Sequence, residues 1–578
     1  MPAESLRRPA RWRWIIARET VGFALAVLLC LEFVSRVTMD AEPGVLLYQP
    51  HPDAVEHAWV TRAFAHGQSP LMPLANELHP SRFSPVHPLL ASLSLRLVGG
   101  DFAGLLWHSA AALVLGCLLI HGWLGVVRLS LPARLVALLA ILRLPMMVTA
   151  GRNILQEPSM LLLFGAGGLA WALAMQCVRR PRGRSVGFAS MALAGAAMAA
   201  LLCIRPPTAA LLVLVALHAV MTLGWRGALA PLTALGLGAA AVIVATALYV
   251  HRVSGLWDVT AYHHWIPGFT GLSWSQPMRP PLNDDSLPMG LLLLSEVFGI
   301  SKHLTGAGIL SPVLALLGVA LLIPRRLSWP GRLSMALLFV FALSQLGFHL
   351  FYQHFEARFL ILAYPALLIA GLAGWDEALR AWWRGGRWRS LAALVALLVA
   401  IGLVGIPWHM RSAFISTWDR REVMAHHRNA SVVRYLDCPL FVHGVPTLSA
   451  RLLLDLCDWP QVIAPFQVHL RLDLDGHTPQ FRMNAVGPPR GHLEDPSLWP
   501  DNPHFSGLVD HELGMIGGEL ATRLLERHGR FAIYIPAWIE WQIGNVRGWA
   551  WEHGLTLRDV SRDRRWCLIV VEPPPDPA

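Results

Sequence analysis

The chain is 578 residues long, 54% hydrophobic and only 15% charged, with a mean hydropathy of +0.47. That is too apolar for a soluble globular domain and marks a polytopic membrane protein. Lys+Arg outnumber Asp+Glu by 47 to 37, but the basic residues sit in short clusters between apolar runs, which is a topology signal and not a nucleic-acid surface.

In chain order, an Arg- and Trp-rich start leads into a first apolar run at 20–38, interrupted by Glu32 and lacking a small-residue cleavage site, so it reads as a retained anchor. Further runs long enough to cross ~30 Å of hydrocarbon recur at 105–127, 132–149, 158–177, 186–204, 207–224, 229–251, 304–323, 332–352, 358–374 and 390–407, about eleven spans in all. With a cytoplasmic N-terminus, alternate connections carry Arg128 and Arg134, RRPRGR (179–184), Arg226, RRLSWPGR (325–332) and RAWWRGGRWR (380–389), all inside. The long polar segments 39–104 and 252–303 and the tail 408–578 then face the exterior.

The expected architecture is therefore a mainly α membrane bundle over 1–407 with a small exterior α/β domain over 408–578. In the tail, CPLFVHG (438–444) is an apolar run, GGELATRLLERHG (517–529) an amphipathic stretch, and FAIYIPAW and WCLIVVE read as strands, while PQFRMNAVGPPRG reads as a loop. Cys30, Cys117, Cys177 and Cys203 fall in apolar runs and behave as small hydrophobes. Cys438 and Cys457 would close a loop worth ~3 kcal/mol in an oxidising compartment, leaving Cys567 over.

The polar residues must decide the function. YQPHPDAVEHAW (48–59) places Asp53 and Glu56 three apart, on one face of a helix entered after Pro52, with His57 beside them. A carboxylate partly desolvated at the membrane boundary can have its pKa raised and accept a hydroxyl proton. The alternative for Asp53 is a helix N-cap. His51, Asp53, Glu56 and His57 are all possible metal ligands, but their spacing matches no compact metal signature.

On the same side, GRNILQEPS (151–159) holds Arg152 and Glu157, IRPP (204–207) holds Arg205 in a tight hairpin, and QHFEARFLILAYP (353–365) holds Glu356 and Arg358. Charges at such depths must be paired or face a wet cavity. Arg358 either snorkels or pairs with Glu356, or else joins Arg152 or Arg205 in holding a phosphate, whose oxygens suit a guanidinium fork. A base for an acceptor hydroxyl together with cations for a departing phosphate describes group transfer from a lipid phosphate. The loop 252–303 adds WDVTAYHHWIPGF, with His263 and His264 among aromatic rings, a lid, an interfacial anchor or a substrate contact.

The order HPDAVEH, FSPVHPLLASLSLRLVG, GRNILQEPSMLLLFG, EARFLILAYPALLIAGLA resembles the GT-C superfamily of polyprenyl-phosphate-dependent glycosyltransferases, nearest to the bacterial branch related to protein O-mannosyltransferases and the lipid A aminoarabinose transferase. The likeness spans 20 to about 375. The family has adjacent Asp-Glu in the first loop, whereas Ala54 and Val55 separate Asp53 from Glu56 here. Asp53 holds the Asp position of HPD and inherits the base role, with Glu56 as second choice; Arg358, Leu360 and Pro365 match the family's R-x-L-x-x-x-x-P element, and Arg152 and Glu157 its arginine-to-acid turn. The resemblance implies an inverting transferase of the bacterial inner membrane. It would move a sugar from a polyprenyl-phosphate carrier to an exterior glycan, lipid or protein, with no certain cofactor and a divalent cation left open. A transporter or flippase is the rival class; Glu32 and Arg143 within spans favour it, and the lack of an evident repeat speaks against it.

Overall fold

The computed structural model describes residues 7–38, 52–74, 77–98, 102–142, 144, 147, 150–151, 154–180, 183–265, 307–322, 329–349, 360–384 and 389–404, and in the tail 440–442, 462–465, 484–486, 525–526, 529–536, 547–548, 550–562 and 566–574. The expected Cys438–Cys457 pair lies outside them.

Each apolar run carries helix. The helices are α1 (Arg7–Thr38), α2 (Pro52–His66), α3 (Val86–Val98), α4 (Phe102–Val126), α5 (Leu131–Leu142), α6 (Glu157–Cys177), α7 (Arg184–Ile204), α8 (Ala210–Ser254), the short α9 (Tyr262–Trp265), α10 (Ala307–Leu322), α11 (Trp329–His349), α12 (Ala363–Arg384) and α13 (Arg389–Val404). Among the described residues, five helical stretches are long and apolar enough to cross a membrane: Gly104–Val126, Glu157–Cys177, Arg184–Ile204, Pro206–Ser254 and Gly331–His349. The Pro206–Ser254 stretch is broken at Gly224 (φ 72°, ψ 162°), a conformation that suits a residue without Cβ. Its halves correspond to the separate runs expected at 207–224 and 229–251. Over the run expected at 132–149, α5 covers Leu131–Leu142; beyond it Leu144 N–H donates to Ile141 and Met147 N–H to Leu144, and Met147, Ala150 and Gly151 are again helical.

Helix α4 packs on α6, α6 on α7, α7 on α8, and α10 on α12, with α11 and α13 flanking α12. At the centre of the bundle Trp123 meets Phe164 and Trp171 edge-on or tilted, and Phe164 stacks on Phe341. The indole N–H of Trp171 donates to His218 Nδ1 at 3.1 Å, which satisfies both polar groups inside the apolar core. Glu32, which interrupted the first run, faces outward from α1.

The bundle has two chemically distinct ends. At one, Arg134 Nη2 donates to Glu19 at 2.7 Å, Ser130 N–H to Asp376 at 2.9 Å, and Arg380 to both Asp376 and the Arg128 carbonyl. Arg128 sits there at φ 68°, so the α4–α5 turn is pinned by α12. At the other end lie α2, α3 and a hairpin of β1 (Met72–Leu74) and β2 (Glu77–His79), antiparallel with Met72 opposite His79.

The tail forms one six-stranded sheet from β3 (Leu440–Val442), β4 (Val462–Pro465), β5 (Asn484–Val486), β6 (Phe531–Pro536), β7 (Thr556–Arg562) and β8 (Trp566–Glu572), ordered β5-β4-β3-β6-β8-β7. The first four strands in that order pair in parallel, and β8 joins β6 and β7 antiparallel. Strands were expected at β6 and β8, and β3 lies in the apolar run 438–444. The stretch expected as a loop, PQFRMNAVGPPRG, contains β5 at the sheet's edge, where three residues paired on one side suffice to add a strand.

Candidate active site

Helix α2 opens on Pro52, whose missing N–H costs nothing in a first helical turn. Asp53 is its second residue. Small side chains bring α2 down onto its neighbours: Ala54 and Ala58 cluster with Ala91 and Leu95 of α3, Leu105 of α4, and Ile154 and Leu155. The close approach buries Glu56 completely and His57 almost so.

A buried carboxylate needs donors, and Glu56 has four. Ser81 Oγ (2.8 Å) and the Arg82 N–H (2.7 Å) donate to Oε1, while Arg82 Nε (3.0 Å) and Nη2 (2.8 Å) donate to Oε2. The fork geometry fixes the 81–84 turn on α2. The Arg82 guanidinium also lies 5.1 Å from the Phe83 ring centre. Phe83 in turn meets His57 at 4.4 Å and Tyr262 at 5.8 Å, and His79 meets His264 at 6.3 Å, so α9 docks on the first loop through rings. His263 pairs instead with Asp258 at 3.0 Å on the exposed side.

Beneath this layer, Ser159 Oγ lies 2.9 Å from His87 Nδ1 and 3.2 Å from His108 Nε2, and His108 Nδ1 lies 2.8 Å from Ser94 Oγ. This polar chain bolts α3 and α4 to the start of α6. Burial holds the His87 pKa well below the usual imidazole range, helped by His57 and His108 nearby.

Helix α6 begins with Glu157, fully buried in its first turn, where a negative charge meets the N-terminal end of the dipole. Arg205 Nη2 donates to it at 3.1 Å. Arg205 reaches it because the chain between α7 and the 3-10 turn Pro206–Ala209 is extended there (φ −147°, ψ 100°). Gln345 of α11 donates to the Pro207 carbonyl at 2.9 Å, and the Gln345 carbonyl accepts from His349 Nδ1 at 2.7 Å, which ties α11 to the same end.

The structure thus gathers Glu56, His57, Glu157, Arg205 and His264 at one end of the bundle, with the backbone of Asp53. Arg152 and Arg358 lie outside the described residues. Among the described residues no three or more His, Cys, Asp or Glu stand close enough to share a metal ion. Arg82, His87, His108 and Ser159 were not singled out from the sequence, although FSPVHPLL contains two of the buried groups around them, Ser84 and His87.

No family model and no curated protein matches the sequence. Among solved structures, the chain is similar to ArnT from Cupriavidus metallidurans bound to undecaprenyl phosphate, with a TM-score of 0.50 and 14% identity over 96% of this chain and 98% of that one. The chain has the GT-C fold. Looser overlaps exist with the apo state of the same ArnT (TM-score 0.47, 14% identity, 97% and 98% covered) and with an Archaeoglobus fulgidus oligosaccharyltransferase in complex with zinc and sulfate (0.45, 12%, 88% and 67%). The GT-C fold accounts for the near full-length correspondence: bundle, first-loop helices and tail are all included in the match. In this fold, buried polar and aromatic contacts run through the α2–α3 layer to α6, and hydrogen bonds join the same ends of α6, α7 and α11.

Proposed function

We propose that the chain is an inverting glycosyltransferase that moves a sugar from a polyprenyl-phosphate carrier to an exterior glycan, lipid or protein acceptor, with Asp53 as general base. What carries this reading is a GT-C fold matched over nearly its whole length to an enzyme crystallised with undecaprenyl phosphate, combined with acids and guanidinium groups at one end of the bundle. Between Asp53 and Glu56, the four hydrogen bonds that Glu56 accepts favour Asp53 as the carboxylate to take a proton.

In the proposed reaction, Asp53 accepts the proton of an acceptor hydroxyl as that oxygen attacks the anomeric carbon from the face opposite the phosphate. The bond from that carbon to the phosphate oxygen breaks, and the phosphate leaves with the electron pair. One displacement inverts the configuration. A phosphate leaving group needs charge stabilisation and no proton, so one carboxylate suffices, and Arg205, Arg152 and Arg358 supply positive charge. Arg205 shares its charge with Glu157 and so acts as an anchored, partly neutralised cation. The described contacts give no specific support to the transporter alternative. The site faces the exterior, with the N-terminus cytoplasmic and 408–578 on the acceptor side.

The test is sugar transfer from a labelled undecaprenyl-phosphate sugar by the purified full chain. Asp53→Asn is expected to lower the rate by about 10²- to 10⁴-fold. An unchanged rate removes Asp53 as base, and no transfer by the unaltered protein favours a transporter.

A further inference from the structure

His87 is a buried imidazole, 1% exposed, at the meeting point of three elements. Its Nδ1 is bonded to Ser159 on α6, its ring meets His57 of α2 edge to face with centroids 4.8 Å apart, and its Nε2 has no hydrogen-bond partner among the described residues. A neutral imidazole has one N–H and one lone pair. A lone pair is cheaper to bury bare than an N–H, so the network assigns the hydrogen to Nδ1. The direction of the whole chain follows. His87 Nδ1–H donates to Ser159, Ser159 donates to His108 Nε2, and His108 Nδ1–H donates to Ser94.

Among the described residues, no acceptor meets His87 Nε2 to balance an imidazolium. From α2 the facing groups are His57 and Glu56, and Glu56 is saturated by Ser81 and Arg82. From the 81–84 turn the facing groups are Arg82 and Phe83. From α4 it is His108, and from α6 Ser159 and Glu157, the latter held by Arg205 at the end of α7. A second proton on His87 would put an N–H at Nε2 with nothing to accept it and a positive charge beside two other histidines.

His57 follows Asp53 by four residues, one turn of α2, so fixing the His57 ring fixes the start of that helix. We propose that His87 is a positioning residue for the first turn of α2, holding it through Ser159 and His57, and that it does so only as the neutral imidazole. The inference rests on the glycosyl-transfer reading, in which that turn carries the base. Acidification of the exterior face would then loosen α2 and slow transfer. The depressed His87 pKa set by burial agrees with this.

The test uses the full chain and two readouts: amide-exchange protection factors in 52–66 at pH 7.5 and 5, and consumption of labelled undecaprenyl-phosphate sugar. In the unaltered protein, protection in α2 is expected to fall about tenfold at the lower pH. His87→Asn keeps a hydrogen-bonding group near Nδ1 and cannot take the proton. It is expected to retain protection at both pH values and to flatten the acid limb of transfer. His87→Ala is expected to lose protection even at pH 7.5 and to lower kcat about tenfold with KM for the carrier unchanged.

Persistence of the acid response in His87→Asn, or normal protection in His87→Ala, overturns the proposal. If His87→Asn does not accumulate, Ser159→Ala carries the test; it removes the shared hydroxyl and should lose α2 protection at pH 7.5, and retained protection counts against the proposal. Exchange that responds as expected without sugar consumption at any pH would sink the transfer reading alone.

Discussion

At the scale of single residues, two buried acids take their partners from far along the chain. The partner that claims Glu56 is Arg82, 26 residues on, and the partner of Glu157 is Arg205, 48 residues on. No local spacing announces either pair, because only the folded loop and the α7 hairpin bring them together. The acids were therefore legible as candidates, but their ion-pair partners were not. The pairing predicts a contrast between two conservative variants. Glu56→Gln removes the fully buried charge from its pair with the part-buried Arg82, at a cost of about 3 kcal/mol. Thermal unfolding in detergent should show that loss, together with reduced transfer. Asp53→Asn should lose transfer with the melting temperature unchanged. Equal melting temperatures for both variants would remove the anchoring role of Glu56. His87 adds a pH dependence with a definite sign. The unfolded chain takes up a proton near the ordinary imidazole pKa of about 6.5, and the native chain does so only well below it. Stability contributed by a neutral His87 is therefore present above that pH and lost as pH falls through the window beneath it. His87→Asn should show a shallower decline in melting temperature over that window.

At the scale of elements, helix pairs in a bilayer gain little from hydrophobic burial and rely on close backbone approach. Gly318 of α10 and Gly371 of α12 face each other so closely that a Cβ on Gly318 would collide with the Gly371 carbonyl oxygen, and one on Gly371 with Ala315 backbone. Gly318→Ala is expected to force the helices apart and destabilise the protein by about 1 to 3 kcal/mol. Gly236→Ala in α8, where a Cβ meets nothing within 4 Å, should be neutral or slightly stabilising. Thermal unfolding of the two variants side by side checks this, and equal effects would mean that the contact is unimportant. The helices themselves were readable, because a run long enough to span hydrocarbon has few other conformations open to it. So was the break between 207–224 and 229–251, through Gly224 and the Trp225–Arg226 pair. The sheet was only half readable. Strands β6 and β8 lie inside it and are apolar, whereas β7, TLRDVSR, lies at an edge and carries charges, the composition that edge strands use against unwanted pairing.

At the scale of the whole molecule, the two ends of the bundle differ in a way that predicts its orientation. The end formed by the α4–α5 turn and the C-terminal half of α12 gathers Arg128, Arg134 and Arg380 with the acids Glu19 and Asp376, and the flanking sequence adds RGGRWR directly after α12. The opposite end holds the buried histidines, the aromatic contacts and the Glu56–Arg82 and Glu157–Arg205 pairs. Arginine-rich short connections favour the cytoplasm, so we propose that the site end faces outward. Two exposed tryptophans report on the two ends: Trp257, 69% exposed after α8, and Trp383, 54% exposed near the end of α12. In a background with all seven native cysteines replaced, Trp257→Cys should react with a membrane-impermeant maleimide in intact cells, and Trp383→Cys only after permeabilisation. The opposite pattern would put Asp53 on the cytoplasmic side. A carrier sugar and acceptor meeting at the outer face could then not be its substrates, and the exterior assignments of both polar loops would fall with it.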